Sequence, residues 1–193
     1  MKLEEQIAML QIIGGKLKRK KLKSPKGLNT RPTSSRLRET VFDICQQEIE
    51  RARFLDLFSG SGSMGIEALS RGAGSAVFVD HDRGSIRCIQ ENIQELGLAD
   101  CARAVIGDVI KLLPKLGTFD VIYVDPPYFE KNRDFSHSAE VLKAIDQSDL
   151  LAHGGMLFIE DSRSWEPDSG SLKTLRLKSS RKVGRSMLHQ FER

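Results

Sequence analysis

The sequence predicts an α/β fold: a mostly parallel sheet covered by helices on both faces and finished by an antiparallel hairpin. Three observations carry this. Short apolar runs alternate with amphipathic stretches between residues 53 and 160, and glycines punctuate the crossings. The last two apolar runs, 171–179 and 186–191, follow one another with no helical stretch between them. Apolar strands separated by amphipathic helices are buried on both faces, as in parallel sheets. Strands joined directly pair antiparallel.

The elements follow in chain order. Residues 1–28 form a basic arm. Ile12 and Ile13 precede Gly14–Gly15, and Leu17 and Leu22 follow among lysines, which suits a small hairpin. A disordered tail, or a helical start from Leu3 to Leu10, competes with that reading. Residues 29–193 form the main domain. Thr33, Ser34 or Ser35 can cap a helix whose apolar stripe is Leu37, Val41, Ile44 or Cys45, and Ile49. RFLDLF (53–58) is a first strand, SGSGSMG (59–65) a turn and IEALSR (66–71) a helix. AVFVD (76–80) is a second strand, followed by a helix with Ile86, Ile89, Ile93 and Leu96 on one stripe and a stop at Gly97. ARAVI (102–106) and FDVIYVD (119–125) are the third and fourth strands. A helix over 138–151 stops near Gly154–Gly155, and MLFIE (156–160) is the fifth strand. The closing pair of strands turns around Arg181–Gly184.

Size and composition narrow the class. At 193 residues and 21.6 kDa the chain suits one well-buried domain. Its three cysteines, Cys45, Cys88 and Cys101, show no CxxC spacing, and His81, His137, His153 and His189 form no metal-ligand pattern. A disulfide scaffold and a zinc site are therefore excluded, and no metal is expected. No apolar run approaches the ~18 residues of a membrane span, and the start lacks the stretch of a signal peptide. A cytoplasmic protein without a membrane partner is expected. The charge is uneven: residues 1–38 hold 11 basic and 2 acidic residues, 39–170 hold 12 and 23, and 171–193 hold 7 and 1. Two basic ends flanking an acidic middle suggest a polyanionic partner, although a solvated basic surface gives the same pattern.

Gly60, Gly62 and Gly65 satisfy GxGxxG between a strand and a helix, where glycines allow a tight turn, close backbone approach to a ligand and close helix packing. Phe58 leads into this turn. Asp80, 20 residues after Gly60 at the end of the second strand, can accept both hydroxyl hydrogens of a ribose; Asp82 competes but also suits a helix N-cap. This much fits any nucleoside-containing cofactor, a nicotinamide dinucleotide included. Asp56 argues against a dinucleotide, because a carboxylate beside the turn opposes a pyrophosphate and welcomes an ammonium. S-adenosylmethionine carries ribose, adenine and such an ammonium. Asp108 is placed to bond an adenine amino group beside apolar Val109, or simply to cap a helix.

Asp125-Pro126-Pro127-Tyr128 ends the fourth strand, where open parallel sheets place their chemistry. Two prolines remove two backbone donors and leave carbonyls that only accept. Asp125 and the Pro126 carbonyl can hold the two hydrogens of a base amine while Tyr128 stacks on the ring. The alternative is a rigid loop with a solvent-facing carboxylate. Trp165 reads as packing or a loop anchor.

DLFSGSGSMGIEALSRGA (56–73), VDHD (79–82) and DPPY (125–128) resemble class I S-adenosylmethionine-dependent methyltransferases that modify exocyclic amines. With IIGGKLKRKKL (12–22) and TRPTSSRLRETVF (30–42) in front, roughly residues 12–191 resemble the bacterial 16S ribosomal RNA guanine-N2 methyltransferases of the RsmD type. The resemblance implies a Rossmann-like, seven-stranded sheet with an antiparallel last strand. It also implies a cytoplasmic enzyme acting on a small-subunit guanine near the decoding region, in an assembled or partly assembled 30S subunit; a monomer is the simplest expectation, apart from the resemblance. Asp56, Phe58, Gly60, Gly62, Asp80, Asp108 and Val109 would hold S-adenosylmethionine, and Asp125, Pro126 and Tyr128 the base. The resemblance also puts Arg31, Arg36 and Arg38 near the RNA or at the active-site entrance, while by their charge Lys18, Arg19, Lys20 and Lys21 of the arm and Lys173, Arg181, Lys182 and Arg185 of the tail would hold RNA phosphates. Family members often carry Phe after the two prolines; Tyr128 keeps the aromatic face. The competing functions are an adenine-N6 or cytosine-N4 amino methyltransferase, a non-catalytic ribosome-assembly protein and a nicotinamide-dependent oxidoreductase.

Overall fold

A computed structural model describes residues 10–25, 34–127 and 136–193. Helix α1 (Ser35–Ile44) starts where Ser34 Oγ accepts from the Leu37 amide, and it buries Leu37, Arg38, Val41 and Phe42. It stops five residues short of the expected Ile49, which belongs to the turn that follows. Strand β1 (Arg53–Leu57) leads through the glycine turn into α2 (Ser63–Ser70). That helix begins three residues before Ile66 because Gly62, at φ 74°, caps it. Then come β2 (Ser75–Asp80), α3 (Arg83–Glu95), β3 (Ala102–Ile106) and a one-turn α4 (Val109–Leu112), which the periodicity does not predict. Strand β4 (Phe119–Val124), α5 (His137–Asp146), β5 (Leu151–Ser162), β6 (Arg176–Val183) and β7 (Ser186–Glu192) complete the chain.

Two expected boundaries are corrected. The fifth strand starts at Leu151, not Met156. Gly154 and Gly155 form a bulge inside it, where the pairing jumps from Phe119↔Leu151 to Val121↔Met156. The penultimate strand lies later than 171–179, and Arg181 and Lys182 sit on it rather than in the turn. The Asp146 carboxylate at the end of α5 accepts the amides of Lys173, Thr174 and Leu175, which holds that segment off the sheet.

The seven strands run in the order β3-β2-β1-β4-β5-β7-β6. Strands β1 to β5 are parallel; β7 lies antiparallel between β5 and β6. The order reverses between β1 and β4, and at such a switch point the crevice beyond the strand ends receives ligands. Side-chain alternation divides the core. Phe54, Phe78, Tyr123 and Phe158 meet α1, α2 and α3 on one face. Leu57, Val124, Ile159 and Phe191 meet α4 and α5 on the other, where Trp165 packs edge-on against His189.

The arm joins the first of these cores. Gln11 and Lys21 bridge antiparallel, and Leu10, Ile12 and Leu22 are buried with the side chains of α1 to α3. Burial contributes about 1.5–3 kcal/mol for each such side chain, so the hairpin is a docked part of the fold. Among the described residues, no helix is long and apolar enough to cross a membrane.

Candidate active site

Two adjacent strand ends build the site. Strands β1 and β4 pair in parallel with Leu57 opposite Val124, and the Asp125 amide donates to the Leu57 carbonyl at 3.3 Å. The glycine turn after β1 and the Asp125–Pro126 corner after β4 therefore emerge side by side.

The turn is held by acidic side chains. The Gly65 amide donates to Asp56 Oδ2 at 2.9 Å, and the Gly60 amide donates to Asp80 Oδ2 at 2.8 Å. Asp80 Oδ1 accepts from the Asp82 amide at 2.9 Å, so one carboxylate links the turn to the start of α3. Asp82 itself caps α3 by accepting from the Ser85 amide, which leaves Asp80 as the acid beside the turn. Ser59 Oγ donates to the Asp56 and Val79 carbonyls and ties β1 to β2. Burial pushes the Asp56 carboxyl up to about 8, opposed by the Gly65 amide and reinforced by nearby Asp80.

A Cβ on Gly60 would meet nothing within 4 Å, so the turn is open there, whereas one on Gly62 would press on Ile89 at 2.9 Å. The Asp80 carboxylate beside this open turn favours hydroxyl and cationic groups over phosphates. Phe58, half-buried, faces His137 at the start of α5 with ring centroids 6.0 Å apart. Asp108 is exposed and caps α4 by accepting from the Lys111 amide, which is the second of its two readings; Val109 beside it is buried.

Sequence reasoning missed Ile106. It is 48% exposed at the end of β3, directly opposite Asp80, and gives that carboxylate an apolar neighbour. Its signal was an isoleucine ending a strand just before Gly107–Asp108. A second omission lies behind the Asp125 corner. The Tyr123 hydroxyl donates to Glu160 Oε2 at 2.7 Å, and Ser186 Oγ donates to Glu160 Oε1 at 2.6 Å, all three buried. Burial, followed by the charges of Asp125 and Glu160, raises the Tyr123 phenol well above its ordinary range, so it stays a donor. These residues come from β4, β5 and β7, and no local motif announces their meeting. Asp125 is half-buried and Pro126 buried; Tyr128 lies outside the described residues.

The basic candidates divide. Lys18, Arg19, Lys20 and Lys21 are exposed on the arm, and Arg36 is exposed on α1. Arg181 and Lys182 on β6 and Arg185 in the hairpin turn are exposed, with Arg181 facing α1 across a groove lined by Thr40, Asp43, Ile44 and Gln190. Lys173 is exposed beside the end of α5, on the other face of the sheet. Arg38 is corrected. It is 1% exposed, donates to the Gln11 carbonyl and lies 3.7 Å from Glu67, so it is an internal clamp and not a surface phosphate contact. Arg31 lies outside the described residues.

Comparison with known proteins agrees with this architecture. The family described as conserved hypothetical protein 95 matches residues 10–192. The Ribosomal RNA small subunit methyltransferase D of Escherichia coli K12 is 32% identical over 152 residues, covering 78% of this chain and 74% of that protein. A solved structure of a hypothetical protein from Thermus thermophilus superposes with a TM-score of 0.79 at 31% identity, covering 95% of this chain and 99% of that one. SMU.776, solved in complex with SAH, shares the fold at a TM-score of 0.66 and 18% identity, covering 83% of this chain and 50% of that one. Between the family match and the Escherichia coli relative, the chain belongs to the conserved hypothetical protein 95 family, the RsmD-type ribosomal RNA methyltransferases.

Proposed function

We propose that this protein transfers a methyl group from S-adenosylmethionine to the exocyclic N2 amine of a guanine in 16S ribosomal RNA. The observation that carries the reading is the adjacency of two strand ends, one with an acid-lined glycine turn and the other with an Asp-Pro-Pro corner. The Escherichia coli relative, named for ribosomal RNA of the small subunit, supports the substrate class.

In this reading Asp56, Phe58, Gly60, Gly62, Asp80, Asp108 and Val109 hold the cofactor. Asp80 takes the ribose hydroxyls and Asp56 the ammonium, with Ile106 beside the adenine. When bound, S-adenosylmethionine supplies a sulfonium-activated methyl. The chain's own residues present the nucleophile. Guanine N2 is a poor one because its lone pair is delocalised into the ring. Asp125 and the Pro126 carbonyl accept its two hydrogens, favour a more tetrahedral nitrogen and stabilise the positive charge that develops there. The amine becomes acidic only as positive charge develops on its nitrogen, so its proton is lost late or after transfer, and Asp125 acts chiefly by hydrogen bonding and charge stabilisation. Tyr128 stacks on the base, which must leave any helical stack to reach the corner. Exposed cations on the arm and on β6 hold phosphates of an assembled or partly assembled 30S subunit, bound by the protein as a monomer.

The test is to map the methyl group on small-subunit ribosomal RNA from a strain lacking the protein, supplied in turn with the wild type and with Asp125→Ala. The wild type is expected to restore one N2-methylguanine. Asp125→Ala is expected to lower kcat by about 10²–10³-fold with cofactor affinity, measured by calorimetry, little changed. Methylation of another base, or full turnover by Asp125→Ala, would reject the reading.

A further inference from the structure

The arm is fastened to the fold by polar side chains as well as apolar ones, and these have no part in the chemistry assigned above. Glu67 on α2 is completely buried. Its carboxylate accepts the amides of Ile13 at 2.8 Å and Gly14 at 2.7 Å, accepts Arg71 Nε at 2.8 Å and faces Arg38 Nη1 at 3.7 Å. Arg38 in turn donates to the Gln11 carbonyl at 3.0 Å. One turn further along α2, Ser70 Oγ donates to the Gly14 carbonyl and accepts the Leu17 amide, while the Ser70 carbonyl accepts the Lys16 amide. The approach is close enough that a Cβ on Gly15, where φ is 72°, would lie 1.8 Å from the Ser70 carbonyl oxygen.

A second tie comes from α3. Asn92, 1% exposed, accepts the Lys23 amide at 2.9 Å and donates to the Lys23 carbonyl at 3.1 Å. The same side-chain nitrogen lies 3.5 Å from the carbonyl of Ser61, inside the glycine turn. Lys23 Nζ pairs with Glu91 and Glu95 on the exposed side of α3.

Three buried leucine and isoleucine side chains would suffice to make the arm adhere. A buried carboxylate is costly unless it is paired and fully hydrogen-bonded, and Glu67 meets that cost with the backbone of the arm. Backbone contacts of this kind fix register and orientation, not merely proximity. Glu67 lies five residues along α2 from Gly62, about 8 Å at 1.5 Å per residue, and Asn92 reaches the turn directly. The arm is therefore anchored to α2, which leaves the glycine turn, and to α3, whose Asn92 also reaches that turn.

We propose that Glu67 and Asn92 are positioning residues for methyl transfer to RNA, locking the basic arm to the cofactor turn so that Lys18, Arg19, Lys20 and Lys21 meet the RNA as a fixed surface. The proposal rests on the ribosomal RNA reading above. Its test uses the full chain, with undermethylated 30S particles as substrate. Glu67→Gln turns an acceptor facing two arm amides into a partial donor, and is expected to raise KM for the particles about tenfold. Its kcat at saturation and its cofactor affinity are expected to stay within about twofold, while trypsin cuts faster at residues 18–21. Asn92→Ala is expected to raise KM for the particles and also to weaken cofactor binding, because it releases the turn as well. Ser70→Ala loses one hydroxyl shared by two arm groups; it should move KM in the same direction by less, and it decides the matter if Glu67→Gln does not fold. A purely structural role would lower the melting temperature and leave KM unmoved well below it. Unchanged KM in folded Glu67→Gln and Ser70→Ala would overturn the proposal alone. Wild-type protein that leaves small-subunit RNA unmethylated would overturn the reading beneath it and this proposal together.

Discussion

Asp56 carries a proton in an unusual place. Its carboxyl is fully buried at the end of β1 and is raised from 3.8 to about 8. Between those values the native state keeps a proton that the unfolded chain has lost, so stability declines as pH rises through that window. This group's contribution is complete below about pH 4 and is gone once pH passes its folded value of about 8. The melting temperature of ligand-free protein is expected to fall between about pH 5 and pH 8.5, and Asp56→Asn is expected to flatten that fall; a slope unchanged by the substitution would remove Asp56 as its source. A cation bound beside Asp56 favours the carboxylate, so calorimetry near pH 7 in buffers of different ionisation enthalpy is expected to register proton release when S-adenosylmethionine binds. The sequence located Asp56 but could not state its protonation, which depends on burial by α2 and on Asp80, 24 residues away. Arg38 shows the same limit. Its basic neighbours suggested a surface cluster, yet its position on α1 beside Leu37 and Val41 turns it inward, where Glu67 accommodates it.

Helix α2 is the element on which the site is mounted, and its closeness to the sheet depends on Gly65. A Cβ there would lie 2.3 Å from the Phe78 ring. Gly65→Ala is expected to destabilise the fold by about 1–3 kcal/mol through overpacking and to weaken cofactor binding, because the Gly65 amide also holds Asp56. Thermal melts with parallel calorimetry check both effects. If stability and affinity both stayed at wild-type values, the close packing would carry no weight. This part of the fold was legible because its signals are local: a short apolar strand and glycines at the turn into the helix, within a few residues. Strand β5 was less legible. Gly154–Gly155 looks like a helix stop in the sequence, but its role is set by register against β4, a partner some 30 residues earlier. The Tyr123–Glu160–Ser186 cluster was invisible for the same reason, since only sheet pairing brings the three strands together.

Across the whole molecule, the arm and β6 lie on the two sides of α1. Arg38 ties α1 to the arm, and Thr40, Asp43 and Ile44 border the groove that Arg181 faces. Arg181 of the basic C-terminal end thereby shares a face of the sheet with the arm, whereas Lys173 lies on the other. Neutralising Lys18, Arg19, Lys20 and Lys21 together is expected to weaken RNA binding and to make its salt dependence shallower, by about 0.7–0.9 in log–log slope for each phosphate the arm no longer neutralises. Binding titrations across a range of salt concentrations measure this; a parallel, undiminished slope would take the arm out of the footprint. The order of the strands has a further consequence during synthesis. Because β7 separates β5 from β6, the long edge of β5 has no partner until residues 186–192 leave the ribosome. Until then the nascent chain carries an open β-edge and an unfilled socket for Phe191, and the parallel half of the sheet stays uncovered along that edge.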